Sequence, residues 1–130
     1  ALAVLVENQG SDLYNSLVEG DKLTQIIGSG RDMSSGWLVD NSGDDTYHFG
    51  NRSAGVGDFN GIGFLKDLNG DDTYVHHRNG IYRDSPSLGK TFGGGAEMRI
   101  DYRIFQSHSA LNIGRFIDNS GDNSFITIEE

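Results

Sequence analysis

Hydrophobic positions in this chain come in short bursts separated by polar, glycine-rich stretches. ALAVLV at 1–6 is the longest uninterrupted apolar run. GIGFLK at 61–66 and TYVHH at 73–77 mix small, aromatic and β-branched residues, the composition of strands. MRIDYRIF at 98–105 alternates: Met98, Ile100, Tyr102 and Ile104 face one way, Arg99, Asp101 and Arg103 the other. That period of two is the mark of a half-buried strand. No segment carries a convincing 3.6-residue period, and SDLYNSLVEGDKLTQII at 11–27 is the one candidate for a turn or two of helix. The pattern predicts many short strands joined by glycine-rich turns.

The strands recur around a repeated phrase. DNSGDDTY at 40–47 returns as DLNGDDTY at 67–74 and DNSGDNSF at 118–125, with a looser copy, ENQGSDLY, at 7–14. Its glycines, Gly10, Gly43, Gly70 and Gly121, are 33, 27 and 51 residues apart. An apolar pair or its remnant precedes each acid: LV at 5–6, LV at 38–39, LK at 65–66 and FI at 116–117. Each unit therefore reads as a small-residue approach, an apolar strand, an acidic turn and an aromatic-bearing strand. Glycine allows the tight turn, and Asn and Asp side chains can cap nearby amides. One such unit cannot bury its own apolar face, so the copies must stack. Stacking would align Tyr14, Tyr47, Tyr74 and Phe125 as an aromatic ladder. Unequal spacings imply insertions at fixed corners. The largest, 78–107, contains Pro86 and Gly93-Gly94-Gly95.

Composition narrows the function classes. Net charge is −9, and ten of the nineteen acids lie inside the four phrases. An acidic chain lacks the basic footprint of a nucleic-acid binder and suits a divalent cation or simple solubility. With no cysteine, disulfides, thiol catalysis and cysteine-ligated zinc are excluded. No apolar run is long enough to span a bilayer as a helix. The first residue is Ala1 rather than methionine, as in a processed chain or a piece of a longer one.

The core GDDTY, at 43–47 and 70–74, resembles the second half of the calcium-binding nonapeptide of secreted repeats-in-toxin proteins. It is closer to bacterial secreted or surface proteins that carry D-x-x-G-D-D-x-Y units every few tens of residues. The resemblance implies calcium ligation by Asp45 and Asp72, with Asp12 and Asn123 in the degenerate copies and carbonyls of Gly43 and Gly70 assisting. It also implies an extracellular or cell-surface location. The chain departs from the nonapeptide pattern: its repeats are not in direct tandem, and the leading Gly-Gly-x-Gly is absent.

On the residues themselves, two readings of the acidic turns stand open. Aligned rows of Asp40, Asp44, Asp45, Asp67, Asp71, Asp72, Asp118 and Asp122 supply the dense oxygen ligands that calcium takes, and would repel one another unless a cation or hydrogen bonds intervened. Alternatively, these aspartates cap turn amides and point into water. His48 and His76 are expected in matching register after their tyrosines, on one face, with zinc or nickel as the ion they would suit. Lys66 beside Asp67 is the one hint of polysaccharide-lyase chemistry, and no recognised nucleophile, zinc-protease or phosphate-loop motif occurs. Trp37, Tyr82, Phe92 and Tyr102 could stack on sugar rings.

The expected fold is all-β: a right-handed parallel β-solenoid of about four to five irregular coils, in one domain spanning 1–130. Its units fall around 1–16, 28–49, 54–77 and 108–128. An antiparallel β-sandwich with hairpins at Asn60-Gly61, Asn69-Gly70 and Asn79-Gly80 is the alternative. The expected function is a non-enzymatic extracellular structural or adhesive module, stabilised by calcium and assembling with itself or within a larger parent polypeptide. A carbohydrate-binding module or a polysaccharide-active enzyme is the alternative.

Overall fold

The computed structural model describes residues 1–15, 27–31, 33–50, 53–58, 61–78 and 113–129. These residues form ten strands and no helix. In chain order they are β1 (Leu2–Glu7), β2 (Leu13–Asn15), β3 (Gly30–Arg31), β4 (Ser35–Asp40), β5 (Thr46–Phe49), β6 (Gly57–Asp58), β7 (Ile62–Asp67), β8 (Thr73–Arg78), β9 (Ile113–Asp118) and β10 (Ser124–Glu129). Three sheets result, ordered β1-β4-β7-β9, β10-β8-β5-β2 and β3-β6. Every strand pair is parallel.

This topology removes the hairpin sandwich among the described residues. Asn69-Gly70 joins β7 to β8, which lie in different sheets, so the turn is a corner between sheets. The physical reason is that the acidic phrase swings the chain sideways instead of folding it back on itself. Asn60, Asn79 and Gly80, the alternating segment 98–105, and most of 11–27 lie outside the described residues; of the last, Leu13–Asn15 is strand.

The repeat sets the register. Leu38 pairs with Leu65, and Asp40, Asp67 and Asp118 align with Glu7 at the ends of the first-sheet strands. In the second sheet Tyr14, Tyr47, Tyr74 and Phe125 align. Their rings stack with centroids 4.8, 4.8 and 5.0 Å apart and interplanar angles of 9°, 7° and 13°. That spacing is the distance between hydrogen-bonded strands, so identical side chains in register necessarily touch face to face.

The four corner glycines form a column so tight that a Cβ on Gly70 would lie 1.5 Å from the Gly43 carbonyl oxygen. Only a residue without a side chain allows this approach. A second close approach lies in β7, where a Cβ on Gly63 would meet the Val56 carbonyl at 2.1 Å. Glycine there lets the segment running back between corners lie flat against the first sheet. Between the sheets sit Ile27, Leu38, Tyr47, Phe49, Ala54, Leu65 and Tyr74, all buried. Burial is concentrated in the middle: β4 and β7 alternate between inward and outward positions, whereas almost all of β1 and the whole of β10 are exposed. A unit needs a neighbour on each side to close its core.

Candidate metal centre in the acidic corners

On each side of a corner the chain runs extended into its strand, so side chains there alternate between water and interior. Asp45 lies two residues before Tyr47 and shares its inward face; Asp44 points out. In the same way, Asp40 continues the inward stripe of Gly36 and Leu38, and Asp67 that of Gly63 and Leu65. The outcome is four aspartates, Asp40, Asp45, Asp67 and Asp72, each with 0% of its surface exposed. Buried carboxylates at that density are unusual, because an ion taken out of water loses several kcal/mol of solvation unless it is paired.

Three hydrogen-bond ladders run through the corners, and the first and third account for part of that loss. In the first, an inward carboxylate accepts the amide of the equivalent residue one unit earlier. The Asp12 amide donates to Asp45 Oδ1 (2.7 Å), the Asp45 amide to Asp72 Oδ1 (2.8 Å) and the Asp72 amide to Asn123 Oδ1 (2.8 Å). The second runs oppositely along the outer row: the Asp71 amide donates to Asp44 Oδ1 (3.0 Å) and the Asp122 amide to Asp71 Oδ1 (2.9 Å). Hydrogen bonds therefore intervene between the outer aspartates, and they link whole units instead of capping their own turns. In the third, the Tyr14 hydroxyl donates to Asp40 Oδ2 (2.5 Å) and the Tyr47 hydroxyl to Asp67 Oδ2 (2.6 Å). The next rung is open. Tyr74 neighbours Asp118, yet its hydroxyl and both Asp118 carboxylate oxygens are buried without a hydrogen-bond partner.

The remaining oxygens are left alone. Asp45 Oδ2, Asp67 Oδ1 and Asp72 Oδ2 are buried and unpartnered. These three residues form one cluster in which an oxygen from each lies within 4.8 Å of the others. Burial first, and the charges of neighbouring aspartates after it, push Asp45 and Asp67 up to about 7. Burial also raises Asp72. Tyr14, Tyr47 and Tyr74 are raised too, by burial and then by the aspartates beside them, so they remain neutral donors. Chemically the centre can accept positive charge, as protons or as a cation. A second cluster, Glu7, Asp12 and Asp40, lies at the first corner, where neither Glu7 nor Asp12 is buried.

The other sequence-derived candidates fall elsewhere. Asp44, Asp71 and Asp122 form an exposed outer row, and Asp118 is half-buried at the end of β9. Gly43 and Gly70 serve the column through their backbones: the Gly43 amide donates to the Asn69 carbonyl (2.9 Å). His48 and His76 do not share a face. Register sets His48 opposite Val75 and Phe49 opposite His76, because His76 lies one residue further past its tyrosine than His48 does. Instead His48 Nδ1 approaches His77 Nε2 at 3.0 Å, and His76 stacks on Phe49. Lys66 and Asp67 point to opposite sides of β7, so the lysine is not aimed into the acidic interior. Comparison of the chain with protein-family models, curated proteins and solved structures finds no match.

Proposed function

We propose that the chain is a non-enzymatic structural repeat module: a right-handed parallel β-solenoid that works outside the cell or on its surface. Calcium in its acidic corners stiffens it, and its ends join further coils, those of other copies or of a longer polypeptide. One observation carries the reading: four acidic corners in register, with their flanking strands paired in parallel on both sides. The right hand follows from the strong bias of parallel strand crossovers. Calcium fits because it takes hard oxygen ligands in flexible geometry, which stacked aspartates supply.

The ends support self-association. Among the described strands β1 and β10 lie at sheet edges, where Leu2 is 70% exposed and Phe125 59% exposed. Each end is hollowed. A cavity of about 520 Å³ at the first unit is lined by Leu5, Leu13, Tyr14, Trp37 and Leu38, among others. One of about 580 Å³ at the last is lined by Phe116, Asp118, Asn123 and Phe125, among others. Unpaired parallel strands with apolar faces are templates for another strand of the same kind. A further coil would continue the aromatic column beyond Phe125 and cover β1.

Thermal melting with calcium and with chelator, followed by sizing of both samples, tests the reading. The expected result is a higher melting temperature in calcium and larger species at higher concentration. Coincident melting curves would remove calcium from the proposal, and a strictly monomeric protein at high concentration would remove assembly.

A carbohydrate-binding role is a second reading, favoured by Trp37 and Phe64. Their rings lie 4.8 Å apart on the outward side of β4 and β7, and Trp37 is 38% exposed. Aromatic faces of this kind can hold a sugar ring. A glycan array that shows no ligand dependent on Trp37 would discard it.

A further inference from the structure

The interior acids differ in what each oxygen is doing. Asp45 gives Oδ1 to the Asp12 amide, Asp72 gives Oδ1 to the Asp45 amide, and Asp67 gives Oδ2 to the Tyr47 hydroxyl. One oxygen on each is thus committed and one is not, and all three uncommitted oxygens are buried. The three side chains come from two neighbouring units: Asp45 from the corner after β4, Asp67 and Asp72 from the corner after β7.

A cation bridging them would therefore tie one unit to the next. Calcium's usual ligand distance of about 2.4 Å lets two ligands stand up to about 4.8 Å apart. An oxygen from each of the three lies within 4.8 Å of the others.

The equivalent sets at the other two steps are incomplete. Between the first and second units, Asp12 is not buried, and Asp40 has both oxygens committed, Oδ1 to the Ser42 amide (3.1 Å) and Oδ2 to the Tyr14 hydroxyl (2.5 Å). Between the third and fourth, Asn123 stands where Asp45 and Asp72 stand, and it satisfies the ladder without a charge. Among the described residues, the central step alone has three buried carboxylates with an oxygen free on each.

Resting on the calcium reading above, we infer that the ion sits inside the stack, between the second and third units, held by the free oxygens of Asp45, Asp67 and Asp72, and not on the outer row of Asp44, Asp71 and Asp122. It is a rivet between coils. The outer row has no need of one, since Asp44 and Asp71 each accept an amide and all three residues face water.

Calcium titration of the chelator-treated chain, followed by calorimetry and by displacement of tyrosine-sensitised terbium emission, tests the inference. Three variants localise the site: Asp67→Asn, Asp72→Asn and the double outer variant Asp44→Asn with Asp71→Asn. Each amide keeps the oxygen that its ladder uses. Asp72→Asn copies the arrangement already present at Asn123, so a folding defect in Asp67→Asn leaves the test intact. The expected result is binding weakened by about tenfold or more in each inner variant, the scale of losing a liganding group or its support. The outer double variant should stay within about twofold of the parent, because its row makes no ligand. Binding lost only in the outer variant, or unchanged in Asp72→Asn, overturns this location and leaves the calcium reading standing. A parent chain with no affinity for calcium or terbium overturns both.

Discussion

Asp44 and Asp45 are neighbours in sequence, as are Asp71 and Asp72, yet the two members of each pair live in different media. Asp44 and Asp71 stand in water, and each lends one oxygen to an amide of the following unit. Asp45 and Asp72 make the mirror-image bond, to an amide of the preceding unit, with their second oxygens sealed away from solvent. The hydrogen bonds are alike in kind and length. What differs is the fate of the spare oxygen: solvated outside, orphaned inside. The outer row is thus a set of ordinary linking bonds, while the inner row holds unspent electrostatic demand.

The largest effect is expected from disrupting the column that keeps both rows aligned. Gly70→Ala would drive a methyl into the Gly43 carbonyl. A loss of several kcal/mol, enough to abolish a cooperative melt, is expected by circular dichroism, since no side chain is available to move aside.

Acidity should separate the rows next. Asp45 and Asp67 are raised from 3.8 to about 7 by burial, in the company of Asp40, Asp72 and the Tyr47 hydroxyl. Groups whose folded value is raised bind more protons folded than unfolded, so metal-free stability falls as pH rises through that interval and levels off above it. A fall of about a few kcal/mol between pH 4 and 7 is expected, read as a declining urea midpoint in chelator. A midpoint that rises over the same interval would contradict an orphaned interior.

Removing the tyrosine donor comes third. Tyr47→Phe leaves Asp67 with neither oxygen bonded and should lose about 2 kcal/mol by chemical denaturation, the usual penalty for an abandoned buried acceptor. The smallest change belongs outside. Asp44→Asn with Asp71→Asn should shift stability by less than about 0.5 kcal/mol at moderate salt, because the ladder oxygens persist and the lost charges are solvated. A loss similar to that of Tyr47→Phe would erase the distinction between the rows.

Much of this was legible before the fold was known. The recurrence of acid-x-x-Gly-polar-Asp-x-aromatic correctly implied that Gly10, Gly43, Gly70 and Gly121 are equivalent corners, and that Tyr14, Tyr47, Tyr74 and Phe125 meet. Inside and outside were harder to tell apart, although the signal was present. Leu38 and Asp40, Leu65 and Asp67, and Asp45 and Tyr47 are each two residues apart, so strand periodicity followed up to the corner from either side marks those acids as interior. Acidic residues read as surface by default, which hid the pattern. The histidines failed for the same reason of phase: counting from Tyr47 and Tyr74 separates His48 from His76 by one position and joins it to His77. The partner of each tyrosine hydroxyl could not be read at all, since it depends on a contact between units 20 residues apart at Tyr47–Asp67 and 26 apart at Tyr14–Asp40.

Gly43 and Gly70 are 27 residues apart and Gly70 and Gly121 are 51 apart, yet the strands on both sides of these corners pair in the same phase. Alignment is thus checked locally, at the bends, and the contour between bends is free to lengthen. Foreign sequence spliced between Arg78 and Ile113 should leave the pairing of β7 with β9 and of β8 with β10 in its present phase.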